Sequence, residues 1–311
     1  MKRTGFFLLL YGLWFLPGWS LAQPREVELI TNETEYRIDV KIGGRDFTSY
    51  RFGPEFKMKP VFYPVNSPDG IRVVREIPFH NEELQKSQDH PHHQSVYFGY
   101  GSVDGLDFWS HHNGERIIHR SISETVPNGF TFLADWIDRT GRTLVHELRR
   151  MRFGGTEDCY WMDHEIKLTA FEDRSFADTK EGLFAIRVAE ALREDRGSGR
   201  YLNAYGWETA ERIWGRRAPW VALFGEVEGQ PVTIAIFDHP STENHPSYWH
   251  ARAYGLFSVN PFGRKDFMKG SEPINSVLKA NQTFHFRYRL LVYRGRVDKE
   301  RLERDYRQFA Q

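Results

Sequence analysis

Phe284-His285-Phe286-Arg287-Tyr288-Arg289-Leu290-Leu291-Val292 is the stretch that decides the fold. Phe284, Phe286, Tyr288, Leu290 and Val292 alternate with His285, Arg287 and Arg289, the two-residue period of a strand with one buried face. Tyr36, Ile38, Val40 and Ile42 repeat the pattern against Arg37, Asp39 and Lys41, and Gly43-Gly44 closes it with a hairpin signal. Other strand-like runs fall at about 56–63, 71–75, 95–100, 117–124, 130–138, 142–153, 160–171, 183–189, 219–227 and 231–237. Turn signals separate many of them, including Ser67-Pro68-Asp69-Gly70, Pro127-Asn128-Gly129 and Arg139-Thr140-Gly141. One clear helix is expected, Asp298 to Ala310, with Leu302, Tyr306 and Phe309 on one side and Asp298 as its cap. A helical turn is expected at Asn81 to Lys86. More than ten strands without βαβ spacing predict an all-β antiparallel sandwich or barrel with a short C-terminal helix. No repeat, low-complexity stretch or linker divides it, so residues 23–311 read as a single domain, with Arg193 to Arg200 a solvated loop.

The chain of 311 residues starts with Lys2 and Arg3, an apolar run from Phe6 to Phe15, and the small-x-small triplet Ser20-Leu21-Ala22. That is the grammar of a signal peptide over residues 1–22, and it predicts a periplasmic or secreted bacterial protein with no integral span once cleaved. Basic and acidic side chains balance at 42 each, and removal of Lys2 and Arg3 leaves a small acidic excess. Such a chain has no field for a phosphate backbone, which argues against nucleic-acid binding. The single cysteine, Cys159, has no partner for a disulfide and no motif around it, so it reads as a small buried hydrophobe.

Candidate chemistry gathers in four segments. Asp89-His90-Pro91-His92-His93 sets three imidazoles beside a stiff proline, then runs on to Asp107-Phe108-Trp109. The same rings could instead cap a strand. Lys180-Glu181 precede an apolar run that contains Arg187, which must be ion-paired or face a polar cavity. Asp238-His239-Pro240 and His245-Pro246 form a third segment, and Trp249-His250-Ala251-Arg252 leading to Asn260 a fourth. There is no His-Glu-x-x-His, nucleophile elbow or second cysteine. No cofactor is predicted, although a divalent metal held by His90 or His92 with His239 and His250 stays open.

The segments Asp89 to His93, Gly101-Ser102-Val103-Asp104-Gly105-Leu106-Asp107-Phe108-Trp109, Lys180-Glu181-Gly182 with Arg187, Phe237-Asp238-His239-Pro240, and Trp249 to Arg252 with Asn260-Pro261-Phe262 together resemble the bacterial PmoA-like domain family. The resemblance spans about residues 27–311. It implies an exported protein of unassigned activity, and its sheet-rich pattern is similar to the galactose-mutarotase-like supersandwich. The oxygenase label attached to that family name belongs to a multi-span copper membrane protein and does not transfer.

The expected function is acid/base chemistry on a carbohydrate or sugar derivative, of epimerase, lyase or hydrolase type. Glu181, His92, His239 and His250 are the candidate catalytic residues. His93, Asp107, Trp109, Lys180, Arg187, Trp249, Arg252 and Asn260 are the candidate substrate-binding residues, with Trp109 and Trp249 as stacking platforms. The competing readings are a non-catalytic carbohydrate-binding protein and a metal-dependent oxidoreductase. In either sugar reading the partner is a small molecule or oligosaccharide, and the His-rich segments should line one pocket.

Overall fold

The structure is a computed structural model that describes residues 23–56, 58–78, 83 and 88–311. The segment read as a signal peptide, and all of 81–86 but residue 83, lie outside the described residues. Two eight-stranded antiparallel sheets face one another. The first runs, edge to edge, Val27–Asn32, Arg37–Ile42, Arg45–Arg51, Val61–Val65, Val96–Phe98, Phe184–Arg187, Leu256–Asn260 and Tyr248–Ala251. The second runs Arg200–Asn203, Trp220–Val227, Gln230–Asp238, Thr283–Arg294, Cys159–Thr169, Thr143–Gly155, Gly129–Ile137 and Arg116–Val126. The expected antiparallel β-supersandwich is therefore the fold.

Alternation explains the second sheet strand by strand. On Thr283–Arg294, Phe286, Tyr288 and Leu290 are buried and Phe284 packs against the core, while His285, Arg287 and Arg289 face outward. The pattern breaks at Leu291 because the C-terminal helix Lys299–Phe309 covers that outer face. Leu302 and Phe309 join Leu291, Tyr293, Trp220 and Phe237 in a second apolar cluster there. Asp298 caps the helix, accepting from the Arg301 N–H at 2.7 Å. Between the sheets, the Phe184 ring stacks on Tyr288 at 5.2 Å and Tyr50 on Phe132 at 4.5 Å. An ion pair is buried in this core: Arg149 donates to Glu147 at 2.8 Å beneath Phe98 and Phe132, and the Trp136 indole N–H satisfies the second carboxylate oxygen.

Turn chemistry acts where predicted. Gly43 and Gly44 both have positive φ and join two strands through the two-residue turn that matches strand twist. Cys159 is buried, and burial pushes its thiol pKa up. Two local expectations fail. Residues 71–75 form only isolated bridges, from Arg72 to Asn66 and Val74 to Val188. Arg193 is not solvated: it is buried, between Glu190 and Asp195.

Candidate functional site

Three of the four segments meet on one half of the first sheet, because their strands are neighbours. The His90–His93 turn feeds Val96–Phe98, Lys180-Glu181 feeds Phe184–Arg187, and Tyr248–Ala251 closes the edge beyond Leu256–Asn260. Asp89 anchors the assembly. Its carboxylate accepts from Arg187 at 2.7 and 3.0 Å and from Arg75 at 2.7 Å. Arg75 also donates to the carbonyls of Asp89, His90 and His93, so one guanidinium fixes the whole turn. Burial alone would raise the Asp89 pKa. The Arg187 hydrogen bond and the two guanidinium charges outweigh burial and hold it below the ordinary carboxylate value.

On this base stands a stack of rings. His90 lies parallel to His93 at 5.0 Å and to Tyr254 at 4.7 Å, and His93 meets His92 edge-on at 4.3 Å. Beneath, the Trp109 indole N–H donates to His93 Nε2 at 3.3 Å. An indole only donates, so neutral His93 carries its proton on Nδ1. That Nδ1–H is buried and has no partner among the described residues; neither do the Tyr97 hydroxyl and the Nε and Nη1 of Arg187. These groups crowd together. Tyr97 stacks on His93 at 6.1 Å, and the Arg187 guanidinium lies 5.0 Å from the Tyr254 ring centre. Unpartnered buried donors are uncommon, so their grouping here is unusual.

Burial, then the charges of Lys59 and the other histidines, pushes His92 down to about 3. Burial, then Arg252 and Lys180, takes His250 to about 3 as well. At neutral pH His92, His93 and His250 are therefore neutral imidazoles. His250 donates through Nδ1 to the Lys180 carbonyl at 3.1 Å, which links the last strand to the Lys180-Glu181 turn. Glu181 pairs with Lys180 at 2.6 Å and remains half-buried. Its negative charge raises the pKa of both Tyr97 and Tyr254 after burial has done so, which places the carboxylate in the field of the shelf.

Several expected binding residues are structural. Trp249 is fully buried with its N–H on the Ala218 carbonyl, and Trp109 is fully buried under His93, so neither is a platform open to a sugar. Asn260 is buried with both ends of its amide occupied, by Thr179 and Phe262 backbone. Asp107 accepts from the N–H groups of Trp109 and Ser110 and shapes the turn that carries Trp109. Arg187 takes the ion-pair reading. Arg252 lies over the outer face of Tyr254 at 5.6 Å, at the rim of a cleft of about 720 Å³. His239 is elsewhere: at the end of Gln230–Asp238 in the second sheet, it contacts Ser241, Arg287 and the Phe309 ring. The set His90 or His92, His239 and His250 is therefore not assembled, and no group of three or more His, Cys, Asp or Glu able to hold a metal occurs among the described residues.

One residue escaped the sequence reading. Lys59 is fully buried, donates to the Trp109 carbonyl at 2.9 Å and lies 4.7 Å from the Tyr97 ring centre. Burial, only partly offset by Asp107, lowers its amine to about 7. A lone lysine between Met58 and Pro60 carries no motif; the signal would have been its place beside a run of buried strand residues.

No helix among the described residues is long and apolar enough to cross a membrane. No curated protein matches this sequence. Among solved structures, the chain is similar in shape to an α-galactosidase of glycoside hydrolase family 36 from Geobacillus stearothermophilus, with 10% identity and TM-score 0.45, over 86% of this chain and 41% of that one. It is similar also to a putative aldose 1-epimerase from Escherichia coli K12, at 10% identity and TM-score 0.36 over 86% and 99% of the two chains. A galactose mutarotase related enzyme from Lactobacillus acidophilus matches at 11% identity and TM-score 0.36 over 88% and 96%. The chain spans less than half the length of the α-galactosidases it matches. A family model covers residues 37–307, nearly the whole described chain, and the protein belongs to that family of unknown function, DUF6807.

Proposed function

We propose that the protein acts on a carbohydrate or sugar derivative at the His90–His93 and Tyr254 shelf, with Glu181 as the group that moves a proton. The observation that carries this reading is the cluster of buried donors without partners: His93 Nδ1–H, the Tyr97 hydroxyl and the two free Arg187 N–H positions. Donors without partners, gathered near the His90–Tyr254 rings, are groups that can hold a carbonyl or developing oxyanion. Glu181, half-buried and balanced by Lys180, supplies a carboxylate next to them. His92 and His250, neutral at physiological pH, serve as hydrogen-bonding groups to hydroxyls and not as the proton reservoir.

A carbohydrate-binding protein without turnover is the second reading, and the close Lys180–Glu181 pair favours it, since the carboxylate is already engaged by an ammonium group. The two diverge in one experiment. Protein beginning at Gln23 is incubated with neutral and oxidised sugars, and anomer exchange, bond cleavage and unsaturated products are followed by NMR. Glu181→Gln should lower turnover by roughly 100-fold or more, the usual weight of a general acid or base. Undiminished turnover in a folded Glu181→Gln variant refutes the assigned role; binding without turnover in the parent selects the second reading.

The PmoA-like motif resemblance and the residue 1–22 segment support export to the periplasm or beyond. N-terminal sequencing of protein recovered outside the cytoplasm should begin at Gln23, and an intact Met1 in a membrane fraction refutes this.

A further inference from the structure

The cleft of about 720 Å³ beside the shelf is bounded by the turn at 193–195, the short helix Ala210–Ile213 and the turn at 251–254. Its size falls within the range of small-molecule sites, roughly 300–1,000 Å³. We infer that it is a binding subsite for a neutral sugar residue, part of an oligosaccharide whose reacting unit lies at the His90–Tyr254 shelf; this rests on the function proposed above.

Four observations carry it. First, the cleft is tied in place: Glu194 and Asp195 N–H donate to the Ala253 carbonyl at 2.9 and 3.2 Å, and Glu194 Oε2 accepts from Ala210 N–H at 2.9 Å. Second, two lining residues each hold a buried polar atom with no partner among the described residues, the Trp214 indole N–H and Glu194 Oε1. One is a donor and the other an acceptor. A hydroxyl group is both, so a polyol satisfies the pair where an aliphatic or purely anionic ligand satisfies half. Third, the charges balance. Asp195 is committed to Arg193 at 2.6 Å, which leaves Glu194 and Glu211 against Arg200 and Arg252 and gives no net field for an acid. Fourth, Tyr254 is shared: the residue lines the cleft while its ring stacks on His90 at 4.7 Å, so adjoining sugar units would pass from one site to the other across that ring.

The test is equilibrium binding of neutral tetrasaccharides in gluco, galacto, manno and xylo configuration, alongside a tetragalacturonate and the corresponding monosaccharides. Trp214→Phe keeps a ring against Phe267, which it now meets edge-on at 5.2 Å, and deletes only the N–H. Glu194→Gln keeps an oxygen for Ala210 and replaces the unpartnered oxygen with an amide nitrogen. Each variant, with a parent-like melting curve, should weaken the best neutral tetrasaccharide about tenfold, the loss of one hydrogen bond at roughly 1.4 kcal/mol. Monosaccharide affinity should stay within twofold. Unchanged tetrasaccharide affinity in both variants overturns the inference, as does tighter binding of the tetragalacturonate than of every neutral tetramer. The failure of the catalytic reading looks different: no sugar is turned over, yet the Trp214-dependent tetrasaccharide affinity persists.

Discussion

Replacing Asp89 with Asn removes one negative charge and should unlock the entire site. Arg187 is fully buried and its one anionic partner among the described residues is Asp89, which also receives Arg75. Stripping one partner from a buried ion pair costs about 3–5 kcal/mol, because the remaining charge stays out of water. Here the Asp89 side chain is 43% exposed, so water already screens part of the interaction. The loss should therefore lie below that range, about 2–3 kcal/mol, or roughly 4–10 °C in melting temperature for a domain of this size. Urea denaturation of parent and Asp89→Asn reads it directly, as a lower midpoint at constant slope. The double variant Asp89→Asn/Arg187→Met should recover part of the loss, since it removes the fully buried Arg187 cation while Arg75 keeps its backbone carbonyl acceptors. A single Asp89→Asn variant within 0.5 kcal/mol of the parent would mean that Arg187 is not held by this carboxylate, and the account of the turn would be wrong. Because the folded Asp89 pKa is depressed, its contribution is present above the ordinary value of 3.8 and is lost as pH falls through the folded one.

Lys59 predicts the opposite limb of the pH curve. Its amine falls to about 7, so between there and its ordinary 10.5 the folded state binds fewer protons than the unfolded one, and stability should rise with pH by at most about 1.4 kcal/mol per unit. Lys59→Met should abolish that rise in denaturation curves taken from pH 6.5 to 9; a parent curve flat over this range refutes the buried amine. Trp249→Phe should cost about 1–3 kcal/mol by leaving the Ala218 carbonyl bare, while sugar affinity measured by calorimetry stays within twofold. A large affinity loss in that variant would restore Trp249 as a platform. His239→Asn should leave turnover within twofold of the parent, since its contacts are with Ser241, Arg287 and Phe309 on the other sheet.

The middle of the second sheet was legible because Thr143–Gly155, Cys159–Thr169 and the first half of Thr283–Arg294 alternate buried and partly exposed positions, as Arg37–Ile42 does in the first. The strands that build the site were harder. Tyr248–Ala251 and Leu256–Asn260 are buried at every position, so no polar residue alternates to reveal them as strands, and Trp249 and His250 read as ligand-facing residues. Which His segments converge depended on strand order alone. Val96–Phe98, Phe184–Arg187 and Leu256–Asn260 are far apart in sequence and adjacent in the sheet, whereas Asp238-His239 ends a strand of the opposite sheet. No local spacing encodes that difference. Arg187 was the exception: a cation inside an apolar run demanded a partner, and Asp89 is that partner.

Burial also reassigns the chemistry that residue types suggest. An exposed histidine pair would titrate near neutrality and exchange protons with a substrate. Among the neighbouring histidines and beside Lys59, His92 is held neutral down to about 3, and protonating it would add a cation to a region already holding Arg75 and Arg187. His92 and His93 therefore give the site shape and neutral hydrogen-bonding atoms, beside the guanidinium–carboxylate base and the Lys180–Glu181 pair. Of the two groups left to move a proton, Lys59 has the suitable pKa but is sealed under Trp109, and Glu181 has the access.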